Sequence, residues 1–199
     1  MVCSAEQEVL HKSYIIGNTQ HTITPKSQEF VQALSAEIFQ KTGIKAYLDI
    51  IDTITIPSIY STKQARKLHQ QEVLRSLKNP CVVIFLFLQE RKIELVSSDD
   101  LHYFLDEKKL ESIYFDYMAP LLPEKEQDIT PQRISAVILN GYSELADVIG
   151  HQYNIVFENN FETNEEGVRT FVRFIMYAML IILLGLFFLA HFSRKKNTI

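Results

Sequence analysis

The chain has 199 residues with 24 acidic and 20 basic side chains, which gives a formal net charge of −4. That length suits one ordinary domain with its own core. The mild charge and the lack of a long block of like charges argue against a nucleic-acid-binding surface. Cys3 and Cys81 form no CxxC motif and the six histidines are scattered singly, so we expect neither a disulfide nor a zinc site.

The first part of the chain predicts a strand, a helix and a second strand. Residues 14–16 are a short apolar segment closed by Gly17. Thr24 and Pro25 form a cap followed by proline, and apolar residues then recur at helical spacing up to Gly43. Residues 44–54 are rich in β-formers with polar positions between them, which predicts a strand.

A second helix and a hairpin follow. Residues 61–77 predict an amphipathic helix whose core-facing set is Ala65, Leu68, Val73, Leu74 and Leu77 and whose solvent-facing set is Lys63, Arg66, Lys67, Gln70 and Arg75. Residues 81–88 are apolar without alternation, as in a strand buried on both faces. Residues 92–96 alternate and should pair with it as an antiparallel hairpin, whereas the two long strands, separated by a helix, should be parallel.

Two more helices complete the predicted domain. One carries Leu110, Ile113 and Met118 and ends before Pro120, and another begins at Thr130-Pro131 and runs to Gly150. The fold class is therefore α/β: a small mixed β-sheet flanked by about four helices, plus one C-terminal transmembrane helix.

The transmembrane helix is predicted from residues 174–190, FIMYAMLIILLGLFFLA, which contain no charge and no proline. The segment is apolar on every face and close to the ~20 residues that span a bilayer. The predicted organisation is a polar N-terminus or signal-peptide remnant (1–13), the α/β domain (14–150), a tether (151–170), the transmembrane helix (171–192) and a basic tail (193–199). The lipid bilayer is thus the first expected partner.

The orientation of the span is open on charge alone. Arg194, Lys195 and Lys196 follow it and Arg169 and Arg173 precede it, which slightly favours a cytoplasmic C-terminus. The domain would then lie outside the cytoplasm, yet the N-terminus lacks the apolar core of a signal peptide. Either Met1 is an internal start, or the chain is tail-anchored with a cytoplasmic domain.

Four stretches make the chain resemble the TPM domain family over about residues 14–149. They are YIIGNTQHTITPKSQEF, KTGIKAYLDIID, VVIFLFLQERKIELV and SSDDLHYFLDEKKLESIYFDYMAPLL. Two departures are Gly17-Asn18, where the family has an aspartate, and residues 97–100, where it has a glycine-containing turn. The resemblance implies a membrane-anchored extracytoplasmic α/β domain that is linked to maintenance of membrane protein complexes. It favours a periplasmic domain on an inner membrane.

The candidate site is acidic. Asp99 and Asp100 follow the predicted hairpin and Asp106 begins the next helix, so three carboxylates could converge there as ligands for Ca²⁺ or Mg²⁺. The resemblance implies a metal site and a weak acid phosphatase activity at the position of Asp106. The alternative is that Asp106 caps the helix and that Asp99 and Asp100 form a solvated turn. The residues indicate no catalytic group and no organic cofactor site.

Three functions are consistent with these observations. The first is a non-enzymatic accessory factor in assembly or stability of an inner-membrane protein complex. The second is a metal-dependent acid phosphatase that uses Asp99, Asp100 and Asp106. The third is a tail-anchored cytoplasmic adaptor for a soluble partner.

Overall fold

A computed structural model describes residues 13–17, 22–52, 62–123 and 128–161. The strands are β1 (Ile15–Gly17), β2 (Lys45–Ile51), β3 (Cys81–Phe87) and β4 (Lys92–Ser97). The helices are α1 (Pro25–Thr42), α2 (Thr62–Ser76), α3 (Glu107–Ile113) and α4 (Pro131–Tyr153). A 3₁₀ turn (Asp99–Leu101) precedes α3, and a π-helical turn (Tyr114–Met118) continues it.

The described strands form one mixed sheet in the order β1-β2-β3-β4. β1, β2 and β3 are parallel, and β4 returns antiparallel to β3. The parallel pairing of the long strands and the antiparallel hairpin are therefore confirmed. The sheet with its helices is the α/β architecture that the sequence predicts.

The helix ends follow from local sequence. Thr24 accepts a hydrogen bond from the amide of Ser27 at the start of α1, and Thr130 does the same for Arg133 at the start of α4. Each cap is followed by proline at the first helical position, where a missing N–H costs nothing. α1 ends at Gly43, whose φ of 77° is the left-handed conformation that glycine adopts without strain.

Each face of the sheet is covered by a different set of helices. α1, α3 and α4 pack on one face, over even-numbered residues of β2 and β3 such as Leu48 and Ile84. α2 packs on the other face, over odd-numbered residues such as Tyr47 and Phe85.

The two parallel crossover connections have opposite hands. The connections β1-α1-β2 and β2-α2-β3 each move one strand further in the same direction across the sheet, but their helices lie on opposite faces. One of them departs from the right-handed rule.

The segment after α4 is fastened to the domain. Phe157 is buried against the end of α4, and Phe161 stacks on Phe30 of α1 at 4.5 Å between ring centroids. Asn160 contacts Ser143 and Asp147 of α4. The predicted tether begins at residue 151, whereas α4 continues to Tyr153 and the packed segment continues to Phe161.

The predicted span at 171–192 lies outside the described residues. Within the described ranges, no helix is both long enough and apolar enough to cross a membrane. The transmembrane helix stays a prediction from sequence.

Glu37 is the buried acceptor that holds the fastened segment. Its carboxylate, on α1, accepts hydrogen bonds from the backbone amides of Glu158 at 2.7 Å and Asn159 at 2.8 Å, and it pairs with Lys41 at 2.7 Å. Burial alone would raise the pKa of Glu37, but the hydrogen bonds from Lys41, Asn159 and Glu158 outweigh it and lower the pKa to about 2.

We predict that Glu37→Gln lowers the free energy of unfolding at neutral pH by about 2–3 kcal/mol, because an amide cannot replace the charged acceptor. A depressed carboxyl pKa contributes stability that is present above the ordinary value of 4.5 and lost as pH falls toward 2. The difference between wild type and variant should therefore shrink over that range in urea titrations. Glu158→Gln, at a side chain 89% exposed, is the matched control and should change little. Equal stability of wild type and Glu37→Gln at pH 7 would contradict this role.

Candidate functional site

A cluster of hydrogen-bonded polar side chains lies between α2 and the sheet. We call this cluster the polar layer, and its members are Asp49, Arg66, His69, Gln70, Glu90 and Glu94. A charged residue between two packed elements is costly unless it is paired. Every buried side-chain polar atom in the described ranges has a hydrogen-bond partner. The polar layer therefore leaves no buried side-chain polar atom unpaired, and it consists of two hydrogen-bonded groups, Asp49 with His69, and Arg66 and Gln70 with Glu90 and Glu94.

Asp49 and His69 form the buried end of the polar layer. Asp49 lies in the carboxyl half of β2 with 3% of its side chain exposed, and its Oδ2 is 2.9 Å from Nε2 of His69, whose side chain is 31% exposed. The imidazole edge meets the rings of Phe85 and Phe87 on β3. Burial raises the pKa of Asp49, and the hydrogen bond and charge of His69 oppose that rise.

Gly17 allows β1 to end against this carboxylate. A Cβ at Gly17 would lie 2.1 Å from the carbonyl oxygen of Ile50 and 3.3 Å from Oδ1 of Asp49. The φ of 82° at Gly17 is also one that residues with a side chain rarely adopt. The close approach of β1 to Asp49 therefore requires glycine at this position.

Arg66 forms the second part of the polar layer. Its Nε donates to Glu94 on β4 at 2.9 Å, its Nη1 pairs with Glu90 in the β3–β4 turn, and Gln70 also donates to Glu94. Burial would lower the pKa of Arg66, but the two carboxylates outweigh it and raise the pKa. The guanidinium also lies over the ring of Phe87 at 5.8 Å.

The register of the sheet explains why these groups meet. Asp49 on β2, Phe85 on β3 and Glu94 on β4 are consecutive partners in one cross-strand row. Because neighbouring strands lie ~4.8 Å apart, the two acidic residues flank Phe85 on the same face. α2 then presents His69 to one carboxylate and Arg66 with Gln70 to the other.

The predicted orientation of α2 is right for Ala65, Val73, Leu74 and Leu77, which are buried or packed against the core, and for the exposed Lys63, Lys67 and Arg75, but it is wrong at three positions. Arg66 and Gln70, expected in solvent, are buried, while Leu68, expected in the core, is 47% exposed. The reason is that Asp49 and Glu94 lie beneath the helix. These two carboxylates are paired only if the basic and amide side chains of α2 face the sheet. The signal in the sequence is Asp49 itself, a charge in the middle of the apolar strand YLDII.

The charges of the polar layer suit cations better than anions. With a neutral imidazole its charges are three carboxylates and one guanidinium, that is −3 + 1 = −2. Arg66 is already paired with two carboxylates, so its charge is compensated. The His69 side chain is partly open to solvent.

The acidic residues predicted from sequence lie at the opposite edge of the sheet. β4 ends where β3 begins, since Ser97 pairs with Val82, so Asp99 and Asp100 lie at the amino edge of the parallel strands. Open α/β sheets bind ligands at the carboxyl edge, which is the half of β2 where Asp49 lies. Asp99 is fully exposed, with Nδ1 of His102 3.8 Å from its Oδ1.

Asp106 has a structural contact of its own. It is the N-cap of α3 and accepts a hydrogen bond from the amide of Lys109 at 2.8 Å. Ser97, next to the acidic turn, is buried and donates to the carbonyl of Leu105. In the described part of the chain, no three His, Cys, Asp or Glu side chains are grouped to hold a metal ion. Binding of Ca²⁺ or Mg²⁺ by Asp99, Asp100 and Asp106 stays a prediction.

Comparison with known proteins gives a fold. No family model matches this sequence, and no curated protein matches it either. The N-terminal domain of a protein from P. gingivalis, solved by NMR, superposes with a TM-score of 0.56 at 12% identity, over 73% of this chain and 87% of that one. At that identity the similarity shows a shared fold and no more.

Two further NMR structures are similar at lower scores. The N-terminal domain of the cg2496 protein from Corynebacterium glutamicum has a TM-score of 0.46 at 10% identity, over 81% of this chain and 95% of that one. The BA42 protein from the psychrophilic bacterium Bizionia argentinensis has a TM-score of 0.47 at 8% identity, over 73% and 93%.

Replacing the buried carboxylate by its amide tests the polar layer. Since the pKa of Asp49 is raised in the folded state, its ionisation costs stability as pH rises through that pKa. We expect Asp49→Asn to raise the free energy of unfolding at pH 7 by up to about 1 kcal/mol, measured in urea, because asparagine can still accept from His69. Asp49→Ala, which leaves His69 without its acceptor, should be destabilising. Strong destabilisation by the asparagine variant alone would show that the charge is indispensable to the fold.

Substitutions at Asp106 separate the cap from the metal hypothesis. Asp106→Ala should lower stability by about 1 kcal/mol, and Asp106→Asn by only a few tenths, because asparagine also caps helices. If the acidic turn binds Ca²⁺, the ion should raise the melting temperature of the wild type and not that of Asp106→Asn. A melting temperature independent of Ca²⁺ and Mg²⁺ in all three proteins would overturn the metal hypothesis.

Proposed function

We propose that this chain is a TPM-like domain that a C-terminal helix holds at an inner membrane, where it acts as a non-enzymatic accessory factor in assembly or stability of a membrane protein complex. The observation that carries the proposal is the uncharged apolar stretch at 174–190. The fold similarity and the sequence resemblance agree on an α/β domain in front of that stretch.

The contacts of the segment before the proposed anchor support this role. Glu37, Ser143 and Phe30 hold residues 158–161 by hydrogen bonds and ring stacking. The last described residues are therefore held beside α1 and α4.

The charges of the polar layer favour a binding role over phosphoryl transfer at that face. Phosphoryl transfer requires positive groups that neutralise the transferring phosphate. Arg66 is the buried cation of the polar layer, and Glu90 and Glu94 already compensate its charge. The proposed orientation has the domain in the periplasm and the basic tail in the cytoplasm. Arg194, Lys195 and Lys196 slightly favour it, and the resemblance to the TPM domain family implies it.

The test is purification of the full chain from membranes in a mild detergent after brief crosslinking. We expect a partner in stoichiometric amount that is also recovered with Asp106→Asn. A matched control keeps residues 1–173 and replaces the apolar stretch by an unrelated span of equal length. This control should retain the partner if the domain makes the contact.

Two results would overturn the proposal. One is a full chain that purifies without a stoichiometric partner. The other is metal-dependent hydrolysis of a generic phosphomonoester that Asp106→Asn abolishes, which would favour the phosphatase alternative.

A further inference from the structure

The outward side of α2 carries a row of basic side chains. Lys63, Lys67 and Arg75 follow one another on the helix at multiples of four residues, and Lys78 comes just after the helix. Positions four apart lie along one side of a helix. All four side chains are exposed, and Leu68 beside them is 47% exposed. We call these five residues the basic face.

We propose that the basic face docks on the anionic headgroups of a lipid bilayer and so turns α2 toward the membrane. The inference rests on the proposed membrane attachment, which keeps the domain close to such a surface.

The acidic groups beneath α2 do not neutralise the basic face. The three carboxylates of the polar layer already bind side chains from the inward side of the helix. Within the described ranges, no salt bridge joins Lys63, Lys67, Arg75 or Lys78 to a carboxylate. The charges of the basic face therefore point to solvent and can meet an external partner.

The distribution of charge over the chain selects this face for an anionic surface. The basic face carries +4, and Glu72 reduces the charge of the outward side of α2 to 4 − 1 = +3. Adding the −2 of the polar layer leaves 3 − 2 = +1 for the helix and the layer together. The rest of the chain therefore carries −4 − 1 = −5. An anionic bilayer attracts α2 and repels the remainder, so its field favours one orientation of the domain.

The composition of the basic face fits lipid headgroups. Lysine and arginine on one side of an amphipathic helix bind anionic lipids electrostatically, and an exposed apolar side chain such as Leu68 adds contact at the headgroup level. The attraction falls off within ~8–10 Å at physiological salt, so it acts on a face that is held near the bilayer. Attachment of the domain meets that condition, because it raises the effective concentration of the face at the bilayer.

Lysine acetylation of the full chain in nanodiscs tests the docking. The discs contain phosphatidylcholine alone or equal parts of phosphatidylcholine and phosphatidylglycerol, and mass spectrometry follows each lysine. Lys26 on α1 and Lys108 on α3 are exposed on the other face of the sheet and serve as internal references. Relative to them, Lys63, Lys67 and Lys78 should react at least about threefold more slowly in the anionic discs. Salt at ~1 M, which shortens the Debye length to ~3 Å, should remove the difference.

Paired substitutions separate the basic face from the net charge. Lys63→Gln with Lys67→Gln should bring Lys78 back to within about twofold of its rate without phosphatidylglycerol. Lys26→Gln with Lys108→Gln removes the same two charges from the other face of the sheet. This control should preserve the slow modification of the lysines of the basic face in the anionic discs.

Three results would overturn the proposal. The first is an inserted chain whose basic face reacts equally in both kinds of disc, which leaves the proposed attachment standing. The second is slow modification that appears only when the same labelling is done in native membranes, which would assign the face to a protein partner. The third is a chain that inserts into neither kind of disc, which would contradict the attachment and the docking together.

Discussion

The structure depends on the burial of β3 on both of its faces. Residues Cys81–Phe87 are buried throughout, so each side of this strand must be covered by helices that leave no polar group unpaired. One side receives α1, α3 and α4 and forms a mainly apolar core around Leu34, Ile84 and Val137. The other side receives α2, which must pair the two carboxylates on the strands that flank β3. The asymmetry between a mainly apolar layer and a polar layer follows from that one row of residues.

The two layers give the domain two kinds of contact. On the α1 and α4 side, Glu37 binds main-chain amides of the following segment, and its pKa of about 2 keeps that contact charged at physiological pH. On the α2 side, the buried Asp49 has a raised pKa and depends on His69. The first contact stays charged in mild acid and holds residues 158 and 159 on the domain. The second joins α2 to the sheet.

Much of the fold could be predicted from local sequence, because its signals are local. Thr24-Pro25, Gly43 and Thr130-Pro131 set helix ends, and the unbroken run at 81–87 gave the central strand. The polar layer could not be predicted, since it depends on Asp49 and Glu94 being brought level by the register of three strands. Helical periodicity predicts that Arg66 faces solvent, because it treats charged residues as exposed. A buried arginine can be predicted only when its acidic partners are known, and those lie on another part of the chain. The acidic turn at Asp99 was prominent in sequence but lies at the amino edge.

Membrane attachment is the central claim, and it rests on the uncharged apolar residues 174–190. The most direct measurement is proteolysis of intact cells, after the outer envelope is permeabilised, with a tag on the C-terminus. The account predicts that the domain is digested from outside while a membrane-protected C-terminal fragment keeps its tag. Protection of the whole chain alongside cytoplasmic controls would contradict a periplasmic domain, and recovery of the whole chain in the soluble fraction would contradict the anchor itself.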